Sequence, residues 1–177
     1  MDRRIKEKAR NIQMIGMDVD GVLTSGDIVI MESGEEIKSW SVKDRMGFNL
    51  ARRSGSLKFA WISGRSCRQV EQTAKELRIE AVRLKRMDKK EALNEILKEF
   101  NLKPENFAYI GDDLVDIPVL KSAGLSFCPK DAPEEVKQAA DYVTRTEGGR
   151  GVLREVIELI LKSQGKWEEA TREYCTK

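Results

Sequence analysis

The stretch Ile12–Thr24, IQMIGMDVDGVLT, joins a short apolar run to two aspartates one residue apart and a following glycine. A buried strand does not normally end in paired carboxylates, because an ionised carboxylate without a partner is costly to bury. Residues i and i+2 of a strand point to the same side, so Asp18 and Asp20 can act together. Gly21 lets the backbone turn away sharply, so that the Asp20 carbonyl can also face a metal. We therefore expect a central strand that delivers Asp18 and Asp20 to a metal ion at its carboxyl end.

Strands and helices alternate along most of the chain. Apolar runs predict further strands at Leu57–Ile62, Glu80–Leu84, Phe107–Ile110 and Leu125–Cys128, with helical patterns between them. This alternation is typical of a doubly wound, mainly parallel α/β sheet of the Rossmann-like kind, in which the functional site lies outside the carboxyl ends of the strands. No linker or repeat interrupts it, so we predict one domain over residues 1–177.

Two segments lie outside this alternation. Residues 27–40 predict a small β-hairpin flap, which is too short to be stable alone and is expected to pack against another chain. The polar tail, residues 163–177, carries Trp167, Ala170 and Tyr174 at helical spacing. We interpret it as an amphipathic docking element, with the further hypothesis that it reaches the active site of a neighbouring subunit.

Composition narrows the classes of partner. The chain has 177 residues, of which 40% are apolar and 35% charged, and its net charge is +2. Nothing in this balance favours nucleic acid or a membrane as a partner. The N-terminal segment MDRRIKEKAR lacks the apolar core of a signal peptide, which favours a cytoplasmic location.

The chain has no histidine, which limits the catalytic mechanisms and metal sites that it can form. This absence excludes Ser-His-Asp and Cys-His catalysis and every zinc site that needs histidine. The three cysteines, Cys67, Cys128 and Cys175, are far apart and form no CxxC pair, so neither a disulfide framework nor a zinc ribbon is indicated. Reactive groups must therefore come from Asp, Glu, Ser, Thr, Lys, Arg and a metal.

Further reactive side chains follow later strands or begin a helix. Ser63 follows the second apolar run, Lys89 opens a helix, and Asp112, Asp113 and Asp116 follow Phe107–Ile110. With Asp18 and Asp20 they form a set suited to phosphoryl transfer, in which a carboxylate attacks phosphorus, Mg²⁺ neutralises charge, and a hydroxyl and an ammonium hold the phosphoryl oxygens. Asp18 can ligate the metal and attack, while Asp20 protonates the leaving oxygen and later activates water.

Four motifs carry a family resemblance: D-V-D-G-V-L-T, I-S-G-R, the helix-opening lysine and G-D-D-x-x-D. In this order they resemble the haloacid dehalogenase-like phosphatase superfamily. The resemblance implies that Asp18 is the nucleophile, Asp20 the acid and base, Ser63 a phosphate ligand and Lys89 the charge stabiliser. It also implies that Mg²⁺ binds Asp18, Asp20 and Asp112. Asp113 and Asp116 lie beside these as metal-shell or structural carboxylates.

Two longer segments resemble one particular family within this superfamily. G-E-E-I-K-S-W-S-V-K-D-R-M-G and Y-V-T-R-T-E-G-G-R-G-V-L-R-E are similar to the 3-deoxy-D-manno-octulosonate 8-phosphate phosphatase family. That family implies a homotetramer that hydrolyses a small phosphorylated sugar acid in lipopolysaccharide precursor synthesis. The implied substrate-binding residues are Asp20, Ser41, Val42, Lys43, Asp44, Arg45, Arg65 and Lys89. Asn49 and Thr73 stand where this resemblance leads us to expect basic residues.

The spacing of the motifs indicates that no cap domain is present. A hairpin and a helix fill the segment between Asp18 and Ser63, and a helix and a strand fill the segment between Ser63 and Lys89. An open site must be screened from water in another way, and neighbouring subunits can provide that screen.

Several alternatives stay open. The same machinery could act on another sugar acid phosphate, such as an acylneuraminate 9-phosphate. A phospho-accepting signalling receiver also uses clustered aspartates, Mg²⁺ and lysine, although its acidic pair and its accepting aspartate lie on different strands. A non-catalytic subunit is a third alternative. The turn Gly148–Gly151 could be a plain helix entry or an anion site at a helix N-terminus.

Overall fold

The computed structural model describes residues 2–175, which form eight strands and eight α-helices. The strands are β1 Met14–Met17, β2 Val29–Ile30, β3 Glu36–Ile37, β4 Lys58–Ile62, β5 Ala81–Arg83, β6 Phe107–Ile110, β7 Leu125–Cys128 and β8 Tyr142–Val143. The helices are α1 Arg3–Arg10, α2 Val42–Arg53, α3 Arg68–Glu76, α4 Lys89–Glu99, α5 Ile117–Leu120, α6 Glu134–Ala139, α7 Val152–Ser163 and α8 Trp167–Cys175.

Six strands form one parallel sheet in the order β5-β4-β1-β6-β7-β8. The first strand, β1, lies between β4 and β6, and all four of its residues are buried. The order reverses beside β1, and such a switch point is where doubly wound sheets place their ligands. The predicted fold class, a mainly parallel α/β sheet with a small hairpin and no cap, is confirmed.

The core has two layers, one on each face of the sheet. Ile15 and Met17 of β1 pack with apolar residues of α1, α2 and α7, whereas Met14 packs with residues of α4, α5 and α6. Because neighbouring residues of a strand point to opposite faces, the short run MIGM is anchored from both sides. The carboxyl end of β1 is therefore held rigidly where the chain reaches Asp18.

The segment after the acidic motif is divided into two short elements. A 3₁₀ turn, Leu114–Asp116, is followed by the short α5, because Pro118 lacks the amide hydrogen needed inside a helix and is tolerated only in a first turn. The hairpin strands β2 and β3 have only two paired residues each, although they are antiparallel as expected.

The tail docks on its own chain as far as it is described. Helix α8 packs against α2 and α7, with Ala170 fully buried and the Arg154 guanidinium 5.2 Å from the ring centre of Trp167. The interpretation as a docking element therefore fits, while entry into a neighbouring active site stays a prediction that also involves residues 176–177, outside the described part. Within residues 2–175, no helix is long and apolar enough to cross a membrane.

Candidate active site

One pocket lies at the carboxyl ends of β1, β4 and β6. It brings together most of the residues that the motifs predicted, namely Asp18, Asp20, Ser63, Arg65, Lys89, Asp112 and Asp113. They come from four separate segments of the chain, and the parallel sheet gathers them because all its strands end at the same edge.

Lys89 connects two of the carboxylates at the bottom of this pocket. Its Nζ atom lies 2.6 Å from Asp18 Oδ2 and 2.7 Å from Asp116 Oδ1, and the lysine is only 2% exposed. Asp88 caps the helix that positions it, since its carboxylate accepts a hydrogen bond from the Glu91 amide at 2.9 Å. Burial lowers the pKa of Lys89, but Asp18 and Asp116 together raise it by more, so the ammonium stays charged.

Asp116 has no free capacity to bind a metal. Its Oδ1 accepts hydrogen bonds from Lys89 and from the Tyr109 hydroxyl at 2.7 Å, and its Oδ2 accepts from the amides of Asp112 and Asp113 at 3.1 and 3.2 Å. Both lone pairs of each oxygen are therefore used. Although its oxygens lie close to those of Asp18 and Asp112, the geometry makes Asp116 a carboxylate that positions Lys89 and the turn after β6.

Asp112, unlike Asp116, has a carboxylate oxygen that could bind a metal. Its Oδ1 is buried and has no hydrogen-bond partner among the described residues, and carboxylate oxygens of Asp112 and Asp18 lie within 4.8 Å of each other. Burial, followed by the charges of Asp18 and Asp116, raises the pKa of Asp112 to about 8. Burial also raises the pKa of Asp18 to about 6, although Lys89 opposes this. Two neighbouring carboxylates, of which Asp112 has a buried oxygen without a partner, fit a divalent cation, which prefers oxygen ligands.

Gly21 is required for the close approach of the Asp112 carboxylate to the loop after β1. It has a φ of +81°, and a Cβ atom there would lie 1.9 Å from Asp112 Oδ2. A side chain would therefore be strained and would displace the Asp112 carboxylate. The glycine after the two aspartates serves both the turn and the space that Asp112 occupies.

Asp20 contacts the hairpin, which the sequence did not predict. The Lys38 ammonium binds Asp20 Oδ1 and lies 2.7 Å from Glu36 Oε1. The other oxygen of Glu36, Oε2, accepts from Arg65 at 2.8 Å, and Arg65 Nε lies 3.9 Å from Asp20 Oδ2. These four side chains, Asp20, Lys38, Glu36 and Arg65, form a closed ring of charges, which we call the ion ring.

Ser63 lies where the motif predicted, at the end of β4, and is 3% exposed. Its backbone amide donates to the Arg83 carbonyl at 2.9 Å, and its carbonyl accepts from the Arg86 amide at 3.0 Å. Its Oγ accepts from the Arg65 amide at 3.2 Å. The backbone thus fixes the hydroxyl in the pocket wall.

The expected substrate segment lies outside this pocket of its own chain. Val42, Lys43 and Arg45 begin α2, where Ser41 caps the helix by accepting from the Lys43 amide at 3.2 Å. Arg45 pairs with Glu76 at 2.6 Å. None of the residues from Ser41 to Arg45 lines the pocket that contains Asp18, so a single chain does not bring them to its own Asp18.

Asp44 in particular is committed elsewhere. It is 3% exposed, and its Oδ1 accepts a hydrogen bond from the Arg154 amide at 2.9 Å in the first turn of α7. A carboxylate at this place satisfies free amides and complements the helix dipole. The anion position at the start of α7 is thus filled by the chain itself, which favours the helix-entry interpretation of Gly148–Gly151.

That turn also packs tightly on the loop after β1. A Cβ at Gly148 would lie 2.1 Å from the Gly21 carbonyl oxygen, and one at Gly149 would lie 2.5 Å from the Thr24 carbonyl carbon. The Gly149 amide donates to the Val22 carbonyl at 3.0 Å. The two glycines therefore allow the turn before α7 to hold the loop that follows β1.

Sequence reasoning missed several residues at the site: Tyr109, Lys38, Glu36, Arg86 and Met87. A tyrosine inside an otherwise apolar strand that ends at the acidic motif was a usable signal for Tyr109, because a buried hydroxyl needs a partner. The alternation of charges in Glu36-Ile37-Lys38 could have placed both charged residues on one side of the strand.

Comparison with known proteins identifies the family. A sequence profile described as haloacid dehalogenase-like hydrolase matches residues 81–156. The 3-deoxy-D-manno-octulosonate 8-phosphate phosphatase of Escherichia coli (strain K12) is 42% identical over 163 residues, which are 92% of this chain and 86% of that protein. The chain belongs to the 3-deoxy-D-manno-octulosonate 8-phosphate phosphatase family.

Solved structures agree with this assignment. The enzyme of that name from Moraxella catarrhalis, in complex with a magnesium ion, a phosphate ion and a KDO molecule, has a TM-score of 0.95 at 36% identity and covers 98% of this chain and 99% of its own. A cobalt-bound phosphatase from Haemophilus influenzae has a TM-score of 0.87 at 38% identity, covering 91% and 94% of the two chains. The family is one of phosphatases, so the alternatives of a signalling receiver and a non-catalytic subunit are set aside.

Proposed function

We propose that this phosphatase hydrolyses 3-deoxy-D-manno-octulosonate 8-phosphate to the free sugar acid and phosphate, with Mg²⁺ and through an aspartyl-phosphate, in lipopolysaccharide precursor synthesis. The observation that carries the chemistry is the Lys89 ammonium between Asp18 and Asp116, with Asp112 Oδ1 unpartnered beside them. The relatives named for this substrate, which match nearly the whole chain, support the choice of substrate.

Asp18 and Asp112 are the side chains that would hold the metal, together with the Asp20 carbonyl. The unpartnered Asp112 oxygen and the raised pKa values of both carboxylates favour this assignment. When bound, Mg²⁺ would neutralise the phosphate and the carboxylates that face it. Asp113 is exposed and Asp116 is saturated with hydrogen bonds, so neither is proposed as a direct ligand.

The protein side chains then have separate roles. Asp18 attacks phosphorus with a carboxylate oxygen, while Lys89 and Ser63 hold phosphoryl oxygens. Asp20 gives a proton to the leaving sugar oxygen, which departs as an alcohol. In the second step Asp20 takes a proton from water, the water attacks phosphorus, and the Asp18 carboxylate is released with phosphate.

The sugar acid requires groups that one chain does not supply. We propose that Ser41, Val42, Lys43 and Arg45 contribute from a neighbouring subunit, through backbone groups or side chains, alongside Arg65 and Lys89, while Asp44 holds their helix against α7. Four consecutive apolar residues of the hairpin, Ile28–Met31, are 47–66% exposed, which supports burial against other copies of the chain. We therefore propose that the chains assemble into a homotetramer. We further propose that each chain is one domain and that the protein is located in the cytoplasm.

A second candidate substrate is another sugar acid phosphate, such as an acylneuraminate 9-phosphate. The observation in its favour is that neither of the expected basic positions is cationic or lies in the pocket. Asn49 is exposed on α2, and Thr73 is 7% exposed on α3. A different set of contacts to the sugar carboxylate could select a different sugar acid.

A phosphate-release assay tests the proposal. The purified protein is given equal concentrations of both sugar acid phosphates and of simple sugar phosphates, with and without Mg²⁺ and after chelation. We expect kcat/KM to be at least tenfold higher for the octulosonate 8-phosphate, and activity to be lost on chelation and restored by Mg²⁺. A preference for the nine-carbon acid would replace the substrate, and full activity after chelation would refute the metal requirement.

A further inference from the structure

The ion ring connects the hairpin to Asp20, and its contacts distinguish the two oxygens of that carboxylate. Oδ1 accepts from the Lys38 ammonium, with the Thr24 hydroxyl at 3.5 Å. Oδ2 is buried and has no hydrogen-bond partner among the described residues, and Arg65 Nε lies 3.9 Å from it. One oxygen is therefore anchored, and the other is available for proton exchange.

Lys38 is built into this place rather than lying there by chance. Its side chain is 2% exposed although it belongs to a hairpin whose apolar residues lie open. Burying an ammonium is costly unless carboxylates compensate it, and here Asp20 and Glu36 both do so. Glu36 is itself held by Arg65 at 2.8 Å. A surface lysine that only paired with a convenient neighbour would keep its ammonium in water.

We propose that Lys38 is a positioning residue for Asp20, which fixes the carboxylate by Oδ1 and leaves Oδ2 to transfer the proton to the leaving group and later to accept one from water. Glu36 and Arg65 hold Lys38 in place. The placement of the hairpin thereby controls the acid and base step. This inference rests on the proposed phosphatase mechanism and adds to it a requirement located in the hairpin.

The test uses Lys38→Met in the full-length protein, with two assays. With the preferred sugar acid phosphate, kcat should fall at least tenfold while KM changes less than threefold. With a series of substituted phenyl phosphates, kcat/KM should depend more steeply on the pKa of the leaving phenol than in the unmodified enzyme. Poor leaving groups need a correctly placed acid, whereas 4-nitrophenolate does not. A loss of folded protein would lower all rates equally and leave this slope unchanged.

A matched pair of glutamates completes the design. Glu36→Gln weakens the ion ring and should give a smaller change of the same kind, about threefold in kcat. Glu35→Gln, one residue away, removes only a contact to Gln69 at 3.0 Å and should leave both assays unchanged.

An unchanged leaving-group slope together with an unchanged kcat for Lys38→Met would overturn the inference. So would a rise in KM alone, since that indicates direct substrate binding by Lys38. Either result, obtained beside a fully active unmodified enzyme, leaves the proposed function intact. Failure of the function itself would appear as an inactive unmodified enzyme.

Discussion

Lys89 and Lys38 each bring an ammonium group to an aspartate of the candidate active site, yet the two lysines belong to very different surroundings. Lys89 opens α4 and contacts Asp18 and Asp116 in the interior, where Tyr109 completes a group that we call the catalytic floor. Lys38 comes from the hairpin, residues 27–40, whose Ile30 is 66% exposed. The floor is held by the packed sheet of one chain. The hairpin is held by charges and, we propose, by other chains.

The two regions have different parts in the proposed mechanism. The proposed nucleophile, Asp18, and its proposed charge stabiliser, Lys89, are fixed by the core and should survive loss of assembly. The proposed acid and base residue, Asp20, is fixed from the hairpin, so its function should depend on how that hairpin is supported. Substitutions in each region should therefore fail in different ways.

The largest expected effect follows Asp18→Asn in the catalytic floor. An amide cannot form the aspartyl-phosphate, so we expect kcat to fall by at least about a thousandfold. Lys89 keeps its contact with Asp116, so thermal stability and assembly should not decrease. Phosphate release and thermal unfolding measure the two results, and substantial remaining activity would exclude Asp18 as the nucleophile.

Lys89→Met should reduce both activity and stability. It leaves two buried carboxylates without their cation, and removing one partner of a buried ion pair costs about 3–5 kcal/mol of the free energy of unfolding. Urea unfolding without metal measures this loss. Lys90→Met is the matched control, because the adjacent side chain is exposed. Equal stability of the two variants would contradict the buried ion pairs.

Ile30→Lys in the hairpin should act on assembly. The side chain is exposed in the single chain, so the protomer should lose no more than about 0.5 kcal/mol of stability. A charge in an apolar interface should nevertheless separate the subunits, and light scattering would then show a smaller particle with lower kcat. Glu32→Lys, at the polar turn of the hairpin, is the control. An unchanged particle size for Ile30→Lys would remove the hairpin from the interface.

The smallest effect on activity is expected for Trp167→Ala in the tail. Trp167 is half-buried beneath Arg154 and Lys162, so we expect a loss of about 1–2 kcal/mol of stability in urea unfolding. Activity of the folded protein should stay within twofold if α8 only docks on α2 and α7. A larger fall in kcat would instead support the hypothesis that the tail reaches a neighbouring site.

Most of the candidate active site was predictable because its residues follow or begin an element with a clear pattern. Asp18, Ser63 and Asp112 follow apolar strands, and Lys89 follows a capping aspartate. The strands β6 and β7 have the predicted bounds. Parallel strands then place these residues together without further information.

The remaining contacts depend on tertiary distances that a linear pattern does not contain. Lys38 meets Asp20 only because the hairpin folds back over the end of β1. Asp44 was expected at the substrate, yet its burial beside α7 follows from the packing of α2 against that helix. The role of Asp116 depends on four donors from two segments of the chain, Lys89 and residues 109–113.

The close packing of Gly148 and Gly149 against the loop after β1 has a practical consequence for anyone who wishes to alter the substrate range. Libraries of variants can randomise the pocket wall at Arg86 and Met87, whose side chains are partly or largely exposed. Gly21, Gly148 and Gly149 should be kept constant in such libraries, since even a methyl group there would overlap with backbone or with Asp112. The positions that cannot vary thus include glycines that touch each other although they are more than a hundred residues apart in the chain.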